Sequence, residues 1–171
     1  MIKPVKITKL RARAGMGSHA YHLVQGAAQQ LPFADNVFDL AFCDHGGLSW
    51  ASPRLAIPQA ARVLRPGGRL VFNTASPWLH ACYDEPTDRV TDQLRSDYFG
   101  QYSIPEAHRA TSYTDTYGGW LRTLRIAGLV VDDLIEPRPD PDARSGYYAF
   151  TPPDWASRWS AEALWLAHKS T

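Results

Sequence analysis

The run Leu31-Pro-Phe-Ala-Asp-Asn-Val-Phe-Asp-Leu-Ala-Phe-Cys43-Asp44-His45-Gly46, with Ala61-Arg-Val-Leu-Arg-Pro-Gly-Gly-Arg-Leu-Val-Phe-Asn73 after it, carries the architecture of the chain. Val37–Cys43 mixes β-branched and aromatic residues and is apolar on both faces, which predicts a strand buried between helices. Ser52 is placed to cap a helix whose first residue is Pro53. Leu55, Ala60, Val63 and Leu64 of that helix would face a sheet, and Pro58 is expected to kink or restart it. Pro66-Gly67-Gly68 ends the helix and turns the chain into the strand Arg69–Asn73. Strand, helix and strand in that order form one crossover unit of a parallel sheet.

Outward from this unit the pattern is less regular. Tyr21–Gln25 reads as a strand closed by Gly26. Within Met1–Gly17, Val5–Leu10 alternates like a strand, while Ile7–Ala14 fits a short helix ended by Gly15 and Gly17. After Ala75 the sequence loosens, and residues 77–117 are expected to form an irregular substrate-cap insert with a polar helix over Thr87–Tyr98. Helical spacing returns at Gly119–Ala127 through Trp120, Leu121, Leu124 and Ala127. Leu129–Ile135 is a strand, Pro137–Ser145 a turn segment, Trp155–Trp159 a helical turn and Glu162–His168 a closing strand. The whole chain is expected to form a single α/β domain.

Composition narrows the function. A chain of 171 residues supports one core, and 44% hydrophobic against 20% charged residues is a globular balance. A net charge of +1 supplies no electrostatic footprint for nucleic acid or a membrane surface. No apolar run approaches the ~20 residues that a bilayer requires, and Met1–Lys6 lacks the apolar segment of a secretory signal. Two cysteines, Cys43 and Cys82, build no disulfide framework, so a reduced, cytoplasmic protein is expected.

In an open parallel sheet, ligands sit beyond the carboxyl ends of the strands. Three strand tips qualify: Gly26-Ala27-Ala28-Gln29, Cys43-Asp44-His45-Gly46-Gly47 and Asn73-Thr74-Ala75-Ser76. They are expected to converge on one crevice.

Gly26-x-Ala28-x-x-Leu31-Pro32-Phe33, Phe38-Asp39-Leu40-x-x-Cys43 and Ala61-Arg62-Val63-Leu64-Arg65-Pro66-Gly67-Gly68 resemble three consecutive signatures of the class I S-adenosylmethionine-dependent methyltransferases (type 11-like), in the subgroup acting on small molecules. The resemblance is clear over roughly Tyr21–Asn73 and extends to Gly118–Lys169. It implies a Rossmann-like, mostly parallel sheet with an antiparallel last strand, and S-adenosyl-L-methionine as cofactor. It also implies an adenine rim at Gly26, Ala27, Ala28, Gln29 and Leu31, and a reacting-end rim at Cys43, Asp44, His45 and Gly46. Ala27 stands where the family carries an aspartate beside adenine. The family's glycine-rich loop, which lets backbone approach the cofactor at a helix N-terminus, has no counterpart. Gly15-Met16-Gly17 does not replace it. The first strands and that loop would need ~50 residues by usual element lengths, more than precede Tyr21, so the sequence reads as an amino-terminally truncated member.

His45 suits proton removal from an acceptor, since its reference pKa lies near ~6.5. A Cys43 nucleophile activated by His45 lacks an orienting partner. In the plainer reading Cys43 is a small buried hydrophobe, and Asp44 or His45 caps the following loop. His80, Cys82 and Asp84 match no zinc spacing, so no metal is expected. Tyr98, Tyr102, Tyr113, Tyr117 and Trp120 either wall a substrate pocket or pack as core.

Two functions remain in view. One is methyl transfer to a small-molecule acceptor. The other is a non-catalytic family member that pairs, as a homodimer, through the sheet edge left bare.

Overall fold

The computed structural model describes residues 24–44, 47–100, 103–104, 112–140 and 150–171. Along the chain these build β1 (Phe38–Asp44), α1 (Pro53–Val63), β2 (Leu64–Ala75) and α2 (Pro77–Cys82). Two short antiparallel ribbons follow, β3 (Tyr83–Asp84) with β4 (Arg89–Val90) and β5 (Ser103–Ile104) with β6 (Ser112–Tyr113). The chain then forms α3 (Tyr117–Ile126), β7 (Leu129–Ile135), α4 (Pro153–Ala156) and β8 (Glu162–Lys169).

The main sheet has the order β1-β2-β8-β7, with β1 and β2 parallel and β8 antiparallel to both its neighbours. One sheet face carries Ala41 and Cys43 of β1, Leu70 and Phe72 of β2, and Ala163, Trp165 and Ala167 of β8. Ala56, Ile57 and Ala61 of α1 and Trp120 and Leu124 of α3 pack onto it. Aromatic rings hold the centre: Phe72 lies 6.0 Å from Trp165 in a stacked arrangement and 5.4 Å from Trp120. A second core, of Leu79, Cys82, Val90 and Trp155, lies beneath the insert.

The opposite face differs from expectation. Phe42 is 77% exposed and Leu40 54% exposed, so among the described residues β1 is covered on one side only. The two-sided hydrophobicity of Val37–Cys43 is real, but only Ala41 and Cys43 meet a helix layer.

Pro66-Gly67-Gly68 lies inside β2 rather than before it. The register with β1 jumps from Phe38↔Leu64 to Leu40↔Arg69, so the turn forms a bulge opposite Asp39. Gly67 has φ +76°, in the left-handed region, and a Cβ on Gly68 would lie 2.9 Å from the Arg65 carbonyl oxygen. Both glycines are therefore required, for different reasons.

Two further expectations are corrected. Thr87–Tyr98 is not a helix: residues 85–87 make a 3-10 turn, Asp88 is left-handed, and Val90 is drawn into the second core as part of a β-ribbon. The segment has too few apolar residues to give a helix a buried stripe. The helix at Pro58 is not restarted, for α1 runs unbroken from Pro53 to Val63 with the proline on its exposed side.

Candidate functional site

Strand direction gathers the candidate residues at one edge. Asp44 ends β1 opposite Asn73 of β2. Because β8 runs the other way, its first residue, Glu162, opposes Ala75, and Ile135 at the end of β7 opposes Leu164. α3 leads back into β7, so its N-terminus lies at the same edge, and the Tyr117 hydroxyl donates to Glu136 Oε1 at 2.6 Å.

At the β1 corner, Ala27 and Gln30 form a tight turn closed by the Gln30 N–H on the Ala27 carbonyl at 2.9 Å. Leu31 is held at both ends: its N–H donates to Gln59 Oε1 at 3.2 Å, and its carbonyl accepts from Arg62 Nη2 at 2.9 Å. A Cβ on Gly47 would meet Cys43 Sγ at 3.5 Å and Ala28 Cβ at 3.8 Å, which places the 26–30 turn against the β1 tip. The structure thus brings Gly26, Ala27, Ala28, Gln29, Leu31, Cys43 and Asp44 to one corner. His45 and Gly46 lie outside the described residues. Cys43 Sγ accepts the Gly47 N–H at 3.1 Å, so the thiol serves to hold its own loop.

Farther along the edge, Ser76 accepts the Leu79 N–H at 3.0 Å and so caps α2. Its hydroxyl donates to the Ser160 carbonyl, which joins α2 to the start of β8. Asn73 Nδ2 donates to Glu162 Oε2 at 3.1 Å. Asn73 Oδ1 is buried without a hydrogen-bond partner among the described residues. Burial, and then the bond to Glu136, raises the Tyr117 phenol well above its ordinary range, so it is protonated throughout the physiological range. Half-buried His80 is pushed down to about 4 by desolvation.

The aromatic residues separate into two sets. Trp120 is a core residue at 1% exposure, the packing role of the two that the sequence left open. Tyr98 packs on Trp78 at 5.5 Å, and Trp78 lies 6.5 Å from Trp159. Tyr113 anchors β6 through its N–H to the Ser49 carbonyl at 2.7 Å, and Tyr102 lies outside the described residues. Among the described residues no three His, Cys, Asp or Glu side chains are grouped to hold a metal.

Sequence reading missed Trp78, Trp159, Ser160 and Glu136 as edge residues. The signal for Glu136 was present: it follows directly after Leu129–Ile135, a strand whose carboxyl end lies at this edge.

A sequence profile of the family described as "Methyltransferase domain" matches residues 2–72. The order β1-β2-β8-β7, with the final strand inserted antiparallel beside its predecessor, is the carboxyl-terminal finish that the resemblance implied. The chain is similar to class I S-adenosylmethionine-dependent methyltransferases in this profile match and in its fold. It is 36% identical over 114 residues to the uncharacterized protein YafE of Escherichia coli, covering 65% of this chain and 47% of that protein. It is 38% identical over 126 residues to the ubiquinone/menaquinone biosynthesis C-methyltransferase UbiE of Roseobacter denitrificans, covering 69% of this chain and 49% of that protein. The chain therefore spans about half the length of the curated relatives it matches. An S-adenosylmethionine-dependent methyltransferase from Mesorhizobium loti shares the fold, with a TM-score of 0.62 at 21% identity over 84% of this chain and 67% of that one.

The β1 corner offers both apolar and polar groups. Half-buried Ala28 and Leu31 supply an apolar ledge, Gln29 an amide edge, and exposed Asp44 a carboxylate.

Proposed function

We propose that this chain takes part in methyl transfer from S-adenosyl-L-methionine to a small-molecule acceptor, as a cytoplasmic protein. The observation that carries this reading is the convergence of the 26–31 turn and the β1 tip at one corner of the edge. Gly26, Ala27, Ala28, Gln29 and Leu31 form the adenine side, and Cys43, Asp44, His45 and Gly46 the reacting side. His45 is assigned as the group that receives a proton from the acceptor. The cofactor supplies the electrophilic methyl group, while the chain's residues bind and align. Residues 77–117 form the cap that selects the acceptor. Similarity to a quinone-biosynthesis C-methyltransferase supports an organic acceptor. The near-neutral charge argues against nucleic acid, and no described helix is long and apolar enough to cross a membrane.

Calorimetry with S-adenosylhomocysteine tests this reading. Saturable binding by the 171-residue chain, weakened by replacing Gln29 and Leu31 with alanine, is the expected result. No binding at millimolar ligand would overturn it for this chain alone.

One observation favours a second reading, a non-catalytic subunit. β1 is an edge strand of the described sheet, and Phe42 and Leu40 are exposed beside it. A homodimer pairing through this edge would bury them. Light scattering that finds a monomer at every concentration would remove this alternative.

A further inference from the structure

At the far end of the strand-tip edge from the β1 corner lies a cavity of about 230 Å³, lined among others by Glu136, Pro137, Arg138, Ser157, Arg158 and Trp159. β1 and β7 are the outer strands of the main sheet, three strand spacings or about 14 Å apart. The cavity is built on the residues that follow β7, so it is a different place from the 26–31 turn.

Two of its walls carry opposite charges that are not spent on each other. Glu136 and Arg138 stand two apart in the chain, with Pro137 fixing the backbone between them. Among the described residues they form no ion pair with each other. Each is instead anchored at one atom. The Tyr117 hydroxyl donates to Glu136 Oε1 at 2.6 Å, and Glu136 Oε2 has no partner among the described residues. Arg138 donates from Nε to the Ser157 carbonyl at 2.9 Å, which leaves both its Nη groups without a partner among the described residues. A guanidinium held at Nε keeps its terminal fork for a carboxylate. Anchoring one atom of each group lowers the cost of ordering the other on binding.

Arg158, the second arginine of the lining, is already matched by Asp92 at 2.7 Å. What remains for a ligand is one carboxylate oxygen and one guanidinium fork. The third wall is apolar: Trp159 is 49% exposed and offers indole surface on which a ring can stack. Pockets for drug-sized ligands measure roughly 300–1,000 Å³, so the present volume suits a molecule with a single ring.

We infer that this cavity binds a free aromatic α-amino acid as its zwitterion. The carboxylate takes the Arg138 fork, the ammonium donates to Glu136 Oε2, and the ring lies on Trp159. A ligand with one charge would leave Arg138 or Glu136 unmatched, whereas a zwitterion meets both. This site is independent of the methyl-transfer reading: it uses neither the β1 corner nor any proton transfer.

A ligand-observed NMR titration of the full chain tests the site with three compounds. They are L-phenylalanine, phenethylamine, which lacks the carboxylate, and hydrocinnamate, which lacks the ammonium. L-Phenylalanine should bind saturably and at least about ten-fold more tightly than either analogue, the worth of one charge-assisted hydrogen bond. Arg138→Gln should bring L-phenylalanine to the affinity of phenethylamine, while hydrocinnamate stays weaker. Glu136→Gln should do the reverse and bring it to the affinity of hydrocinnamate. Both side chains are exposed, and loss of fold would not give two opposite patterns. Trp159→Ala should weaken all three ligands. Equal affinities in the parent chain, a preference that survives its own variant, or no L-phenylalanine binding at millimolar concentration would overturn the proposal. So would displacement of the amino acid by S-adenosylhomocysteine, which should leave it bound. L-Phenylalanine binding by a chain that binds no S-adenosylhomocysteine would support the cavity and count against the methyl-transfer reading alone.

Discussion

Lys169, near the end of β8, reaches the loop before β1 and donates its ammonium to Asn36 Oδ1 at 2.8 Å and to the Leu64 carbonyl at 2.9 Å. Asn36 has φ +58°, one of two non-glycine residues in the left-handed region among those described. A side chain that tolerates this conformation and also offers an acceptor is what the position needs. Lys169→Met should cost about 2 kcal/mol, because the carbonyl of a buried residue loses a charged partner. Asn36→Ala should cost about 1 kcal/mol more than Asn36→Gly, which keeps the backbone at ease. Urea denaturation of the three variants checks the order.

The guanidinium of Arg62 spans the 31–36 loop, donating to the Leu31 and Phe33 carbonyls and to Asp35 Oδ1 at 2.9, 2.8 and 2.6 Å. Arg62→Lys keeps the charge but loses the fork, so it should destabilise by about 1–2 kcal/mol. Asp35→Asn, at a largely exposed partner, should change stability by less than about 0.5 kcal/mol. If lysine proves silent, the carbonyl bonds do not hold the loop.

The two turn glycines separate strain from space. Gly67→Ala meets no atom within 4 Å but must hold φ +76°, a cost of about 1 kcal/mol. Gly68→Ala meets the Arg65 and Phe38 carbonyl oxygens at 2.9 and 3.2 Å. It must displace backbone and should cost about 2–3 kcal/mol. Equal unfolding midpoints for the two variants would contradict this account.

Much of the sheet was legible from local sequence, and its exceptions have physical causes. Leu129–Ile135 was read with its observed bounds because Gly128 and Pro137 punctuate it. β2 begins at Leu64, ahead of the Pro-Gly-Gly turn, because pairing with Phe38 resumes the ladder on the near side of a bulge that no local pattern announces. α3 starts at Tyr117, capped by Thr116 on the Gly119 N–H at 3.0 Å, where two glycines had hidden the helical signal. At the candidate site, the β1 tip could be read as a strand end, whereas Val24 and Gln25, expected to close a strand before Gly26, carry no strand. The cavity beside Glu136 could not be read, because only the return of β8 brings Ser160 and Trp159 next to the end of β7.

His80 ties stability to pH. Burial lowers its imidazole from 6.5 to about 4, so the folded chain favours the neutral form. The unfolded chain binds a proton below about 6.5 and the folded chain only near 4. The contribution is therefore whole above the upper value and lost as pH falls through the lower one. The loss should amount to at most about 3 kcal/mol. His80→Gln should show a flatter profile of unfolding free energy across this window, and identical slopes would assign the acid sensitivity elsewhere.

Phe42 separates association from folding. Exposed at 77%, its replacement by serine should change the stability of the monomer by less than about 0.5 kcal/mol. Any self-association through the β1 edge should weaken at least about ten-fold. Sedimentation velocity across a concentration series reads both species.

β8 is the last strand in sequence yet lies between β2 and β7, with Trp165 fully buried at its centre. As the ribosome delivers the chain, neither neighbour can close its ladder until residues 162–169 have left the exit tunnel. Pairings such as Leu70 with Ala167 raise the contact order and delay closure of the sheet until these distant residues meet. Until that moment the nascent chain exposes the inner flanks of β2 and β7, which makes its yield in a cell depend on the chaperones that shield them.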